Sequence, residues 1–125
     1  NGASWTDEDG NVLPSSRLTR PADPPRSYAY CSDTCYLPEL HKQLEGTTCI
    51  YHETTYATED AEKATKYCHS TAAQAAQVAR DAHAGRLLLG HYSSKYDNEQ
   101  VLLEEARAVF PASELTREGM VVELK

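Results

Sequence analysis

Long apolar runs are missing from this 125-residue chain: the longest aliphatic stretch is Leu87–Leu89, far short of the ~20 residues that a membrane span requires. The opening residues also lack the charged, apolar and small-residue series of a secretory signal, so no membrane association is expected and the expected compartment is the cytoplasm. Positive charge is scarce, with 12 Lys and Arg against 19 Asp and Glu for a net charge of -7. That balance excludes a broad basic surface that binds nucleic acid by phosphate neutralisation alone, and any RNA contact has to be local. Internal repeats and low-complexity segments are absent. The four cysteines are too sparse for a disulfide scaffold and read as reduced thiols. Cys31 and Cys35 have a spacing found in some zinc clusters, but no second close Cys or His pair completes a four-ligand set, which favours strand-end and core roles.

What is present divides at about residue 26. Residues 1–26 hold four of the six prolines (Pro14, Pro21, Pro24 and Pro25) with Gly2 and Gly10, and read as irregular structure with room for one hairpin turning at Asp9-Gly10-Asn11. From Ser27 short apolar runs alternate with helical patterns, which implies an α/β layer arrangement. Strands are predicted over 27–31, 48–52 and 86–90, with short helices over 38–44 and 59–66 between them. A longer alanine-rich helix is expected over 71–84, where Thr71 and Gln74 are spaced as a capping box. Another begins at Asp97 with Gln100 as its reciprocal cap, carries Leu102, Ala106, Val109 and Phe110 on one face, and stops at Pro111. The valine-rich alternation of 120–124 predicts a closing strand.

Each of three predicted strands ends in a residue able to bind a metal or move a proton: Asp33, then His52 with Glu53, then His91. In α/β proteins the loops beyond the carboxyl ends of the strands are where ligands bind. Singly, each has an ordinary alternative: Asp33 as a turn or cap residue, His52 as a hydrogen-bonded interior histidine, His91 as a surface one. His69 immediately precedes the capped helix, whose first amides would carry partial positive charge attractive to phosphate. A histidine there is suited to bind a phosphoryl oxygen or protonate a departing alkoxide, and the alternative is a capping-box helix with an idle neighbour. The eight tyrosines read as core or rim residues more than as base-stacking platforms.

These same residues carry a resemblance that extends over nearly the whole chain. Ser32-Asp33-Thr34 is similar to the Gly-Asp-Thr motif of ribonuclease Z, and His52-Glu53-Thr54-Thr55-Tyr56 resembles that family's His-Glu-Ala-Thr-Phe loop. His69-Ser70-Thr71 with the alanines after it resembles the His-Ser-Thr loop and its helix, and Gly90-His91-Tyr92-Ser93-Ser94-Lys95-Tyr96 resembles the Thr-His-x-Ser-x-Arg-Tyr segment. Four motifs in order are a far more specific signal than any one alone. The smaller departures include Ser32 for Gly, Thr54 for Ala, Gly90 for Thr and Lys95 for Arg, the last exchanging a planar fork for a point charge. The largest departure is that no His-x-His-x-Asp-His, the family's main source of zinc ligands, occurs in these residues.

The resemblance implies the C-terminal half of a four-layer αββα metallo-β-lactamase-type sandwich, with residues 1–26 following a substrate-binding arm and residues 27–125 forming the half-fold. It implies a zinc-dependent endoribonuclease that removes the 3′ trailer of transfer RNA precursors with two zinc ions. Asp33 would bridge the metals, His91 would be a terminal ligand, and His69 would bind the phosphate or help the 3′ oxygen depart. Glu53 is expected to orient His69. Ser70, Thr71, Ser93, Lys95 and His52 are the expected substrate or phosphate contacts. With so few ligands the chain alone is expected to be inactive and not to retain zinc stoichiometrically. The expected partners are precursor transfer RNA, the N-terminal half of the same protein and a second copy in a homodimer, since half a sandwich leaves an apolar face uncovered. The alternatives are a non-catalytic dimerisation or RNA-docking module, and a hydrolase of small phosphodiesters or esters on the same fold.

Overall fold

The computed structural model describes residues 5–6, 12–13, 23 and 25–124. Near the start, β1 (Trp5–Thr6) and β2 (Val12–Leu13) pair antiparallel, Trp5 opposite Leu13. The expected turn at Asp9-Gly10-Asn11 lies outside the described residues.

The rest is built on one parallel sheet. Its strands are β3 (Tyr28–Cys31), β4 (Cys49–Glu53), β5 (Arg86–Gly90) and β6 (Ser113–Leu115), adjacent in that order. Parallel neighbours need crossovers, which the helices supply. They are α1 (Leu40–Gln43), α2 (Ala61–Lys66, entered through a 3-10 turn at Thr58–Asp60), α3 (Ala72–Asp81) and α4 (Gln100–Val109). The register sets Cys31 opposite His52, His52 opposite Leu89, and Glu53 opposite Gly90. The three strands therefore end at one edge, and whatever follows them emerges side by side.

The core lies between the sheet and the helices. Ala72, Ala75, Ala76 and Ala79 recur at helical spacing on α3 and are fully buried against Ile50, Leu87 and Leu89, beside Leu102, Leu103 and Ala106 of α4. Alanine lets a helix approach a sheet closely, and each fully buried leucine contributes roughly 1.5–3 kcal/mol relative to exposure. The other sheet face is less covered. Tyr30 stacks on Tyr51 with ring centroids 4.8 Å apart, yet Tyr30 is 65% exposed and Tyr28 49%. Leu88 points to this side into a cavity of about 410 Å³ whose walls include Tyr28, Tyr51, Met120 and Val122.

Two expectations at the C-terminal end are corrected. The segment 120–124 is not a strand but an irregular stretch beside Leu88, and the strand that completes the sheet is the three-residue β6 just after Pro111. Ser113-Glu114-Leu115 has no β-branched residue and no visible alternation, so pairing with β5 rather than local preference makes it a strand. Helix α4 also lacks the expected Asp97/Gln100 capping box. It begins at Gln100, whose amide donates to Asn98 Oδ1 at 2.8 Å, because Lys95 and Tyr96 are both tied to Asp60 and keep the chain in a loop up to that point. The Thr71/Gln74 box of α3 is present in both directions.

Candidate metal and acid–base site

Asp33 lies two residues beyond β3, Glu53 ends β4, and His91 follows β5 directly. His69 reaches the same edge by another route. Tyr56 donates its amide to the Ser70 carbonyl, and the Ala72 amide donates to the Tyr56 carbonyl, so the loops after β4 and before α3 run side by side. Ser70 adds a cross-tie, donating its hydroxyl to the Thr34 carbonyl at 2.6 Å, which anchors the His69 loop to the Asp33 loop.

Asp33, His69 and His91 converge, each offering one ligand atom and all of these within 4.8 Å of one another. Asp33 Oδ1 is 3.1 Å from His91 Nε2, and the two imidazole rings stack with centroids 5.3 Å apart. Beneath them Glu53 is fully buried. A carboxylate without water needs a full set of donors, and Glu53 has three. His69 Nδ1 lies 2.8 Å from Oε1, while Oε2 accepts from the Thr55 amide at 3.1 Å and from the Thr55 hydroxyl at 2.7 Å. The expected Glu53–His69 pairing is thus present. Thr55 Oγ1 in turn contacts His91 Nδ1 at 3.0 Å.

Three of the four described non-glycine residues with positive φ lie at or beside this place, the fourth being His83 beyond α3. Asp33, Cys68 and His91 have φ of 49°, 59° and 59°, in the left-handed region that side-chain-bearing residues rarely occupy. Such conformations persist where surrounding structure enforces them, typically at sites where a side chain must be aimed. The Tyr92 hydroxyl, next along the chain, ties the end of β5 to the segment after β6: it lies 2.7 and 2.9 Å from the carbonyls of Leu89 and Thr116, either of which can accept its proton, and it accepts from the Thr116 amide at 2.8 Å. Gly90 is needed for packing, since a Cβ there would fall 2.1 Å from the Tyr51 hydroxyl.

The other expected site residues have different partners. His52 is fully buried in β4, where its Nδ1 bonds the Glu53 carbonyl at 2.8 Å, and burial pushes its pKa below the ordinary histidine value. Ser70 and Thr71 are buried in the loop tie and the helix cap. The α3 amides expected to face a phosphate are largely spent within the chain, Ala72 on Tyr56 and Gln74 on Thr71. Ser93 accepts from the Lys95 amide, and Lys95 Nζ lies 2.6 Å from Asp60 Oδ2. Asp60 also accepts from the Tyr96 hydroxyl at 2.6 Å; burial and this bond push the Tyr96 pKa up to about 12. The sequence does not single out Thr55, which contacts His91, or Tyr92, which ties the end of β5 to Thr116. Both sit inside quoted motifs, Tyr92 at a variable position of its segment, but which partner each touches is a tertiary fact.

The facing pair of Asp33 Oδ1 and His91 Nε2 offers a carboxylate oxygen and an imidazole nitrogen, donors suited to a borderline cation such as zinc, and leaves a four-coordinate shell open. Cys31 and Cys35 do not join this group, and all four cysteines are free.

A parallel sheet with helices on one face and a metal-competent rim at its carboxyl edge defines a metallo-β-lactamase-type α/β protein. The fold comparison agrees. The chain superposes on the Bacillus subtilis metallo-β-lactamase fold protein YhfI with a TM-score of 0.70 at 25% identity, covering 75% of this chain and 38% of that one. It superposes on the short form of human tRNase Z with a TM-score of 0.60 at 22% identity, covering 91% and 37%. No protein-family profile matches. In sequence the chain is 46% identical to a ribonuclease Z of Bacteroides fragilis over 124 residues, 99% of this chain and 41% of that protein. It is 48% identical to the ribonuclease Z of Bacteroides thetaiotaomicron over 122 residues, 98% of this chain and 39% of that protein. The chain is thus similar over nearly its whole length to one part of these ribonuclease Z proteins, and it spans about two fifths of the length of the curated relatives it matches.

Proposed function

We propose that the protein carrying this chain is a metal-dependent endoribonuclease that cleaves the 3′ trailer from transfer RNA precursors, and that this chain supplies one wall of its active site. The observation that carries the reading is the convergence of Asp33, His69 and His91 over the buried Glu53 carboxylate. Asp33 and His91 would hold the metal, with zinc as the cation their donor types favour. Bound metal would supply Lewis-acid polarisation of the phosphodiester and activate the attacking water.

This chain's own residues do the rest. Glu53 accepts the Nδ1 hydrogen of His69, which leaves Nε2 as the nitrogen that, in the protonated ring, would donate to a phosphoryl oxygen or hand its proton to the leaving 3′ oxygen. The net charge of -7 leaves little long-range attraction for RNA, so recognition rests on the rim and on groups outside these residues. The exposed Tyr28 and Tyr30 face is the surface for the remaining part of the sandwich, or for a second copy in a homodimer. Four free thiols fit the reducing cytoplasm. The chain in isolation, with an open ligand shell, holds zinc weakly and does not cleave.

The test is an assay of the longer protein, with zinc, on a transfer RNA precursor and on a small phosphodiester. Release of the 3′ trailer supports the reading. Turnover of only the small substrate, or of neither, overturns it in favour of a small-molecule hydrolase or a non-catalytic module.

A further inference from the structure

The hydrogen bonds around Thr55 have a direction that donor and acceptor chemistry determines. Glu53 Oε2 is a carboxylate oxygen and can only accept, so the single Thr55 hydroxyl proton, 2.7 Å away, is given to it. Toward His91 Nδ1, at 3.0 Å, Thr55 Oγ1 then has only lone pairs to offer. A bond there requires that Nδ1 carry a proton. The neutral imidazole of His91 is thereby left with its lone pair on Nε2, the atom 3.1 Å from Asp33 Oδ1. Two lone-pair-bearing atoms face each other at hydrogen-bond distance, an arrangement completed by a cation between them.

We infer that Thr55 is a positioning residue for His91: it relays the buried Glu53 carboxylate to the His91 ring and so fixes the tautomer whose Nε2 is free to bind metal. This rests on the reading of Asp33 and His91 as metal ligands. It makes Glu53 the common anchor of both histidines, of His69 directly through Oε1 and of His91 through Thr55 and Oε2. Its chemistry is specific. The relay needs a hydroxyl, which donates once and accepts, so serine can replace threonine whereas the equally branched valine cannot. Groups that hold the other ring nitrogen of a metal-binding histidine typically change metal affinity by 10–100-fold when removed.

The experiment compares the longer protein with its Thr55→Ser and Thr55→Val variants. Nitrogen NMR of the metal-free protein, at mildly alkaline pH where imidazole is neutral, reads the tautomers of His91 and His69, and calorimetry reads zinc affinity. The expected result is the Nδ1–H form of His91 in the parent and in Thr55→Ser, and loss of that preference in Thr55→Val with about 10- to 100-fold weaker zinc binding. His69 keeps its tautomer in all three, because Glu53 Oε1 is untouched, and this serves as the control that the site has folded. A Thr55→Val protein with His91 tautomer and zinc affinity unchanged overturns the inference, as does a Thr55→Ser protein that behaves like valine. The outcomes separate from those of the nuclease reading. If the parent fails to cleave precursor RNA while the tautomer and zinc responses appear, the relay stands and the substrate assignment falls; if the parent cleaves while Thr55→Val leaves His91 unchanged, the reverse holds.

Discussion

Glu53 Oε1 lies 2.8 Å from His69 Nδ1, a fully buried carboxylate holding an imidazole whose side chain is 22% exposed. The pair has the form of an acid–base group with an orienter behind it: the charge is shielded from water and the working nitrogen is not. A carboxylate in that position selects the tautomer of His69 that carries hydrogen on Nδ1. The arrangement makes the two residues separable by mutation.

Replacing Glu53 by Gln keeps the volume but turns at least one of its hydrogen bonds into a donor-to-donor clash, because the amide nitrogen cannot accept from His69 or Thr55. The expected effect in the longer protein is a drop in kcat of about 10- to 100-fold with little change in KM, and a drop of about 10²–10⁴ for His69→Ala. Because the two act as a unit, the double variant should be no slower than about the worse single one. Single-turnover cleavage of precursor RNA measures this, and multiplicative losses would show that Glu53 acts independently of His69.

His52 gives the fold a pH dependence of its own. Its pKa in the folded chain is depressed by burial, and among the described residues its Nε2 has no hydrogen-bond partner. Below the ordinary value of 6.5 the unfolded chain therefore takes up a proton that the folded chain refuses. The sign follows: the stability contributed is present above about pH 6.5 and is lost as pH falls further. Urea denaturation at a series of pH values should show this decline, and a His52→Gln variant should flatten it. An equal decline in the variant would assign it to other groups.

Lys95 occupies the place of a phosphate-binding arginine in the family resemblance, yet it is paired with Asp60, whose carboxyl is held below its usual range first by the hydrogen bond from Lys95 and then by that from Tyr96. Lys95→Met is therefore expected to lower Tm, and to leave the salt dependence of RNA binding unchanged. A phosphate contact would instead reduce the slope of log K against log salt by about 0.7 on a single strand. Binding measured at several salt concentrations decides between these.

How far the sequence could be read follows from what kind of information each feature carries. The strand at 86–90 and the Thr71/Gln74 cap were legible because periodicity and capping are local. So was the buried face of α4, where Leu102→Ala should cost about 2–5 kcal/mol in chemical denaturation. The strand at Ser113–Leu115 was not, since only its pairing with β5 defines it. At the site, the motif letters pointed to Asp33, Glu53, His69 and His91. They did not separate residues on the rim from those that hold it up: His52, Ser70 and Thr71 share the motifs but are buried, and Thr55 was passed over although it joins Glu53 to His91. A motif records which residues occur together, and only the hydrogen-bond directions show which of them face the ligand.

Asp33 and His91 are proposed to hold one ion. A double-mutant cycle of zinc affinity in the longer protein, using Asp33→Asn and His91→Ala measured by calorimetry, tests it most directly. If they share the ion, each single variant weakens the affected zinc and the double variant loses less than the sum of the two. Strictly additive losses, or a single variant that binds zinc like the parent, would contradict the shared site.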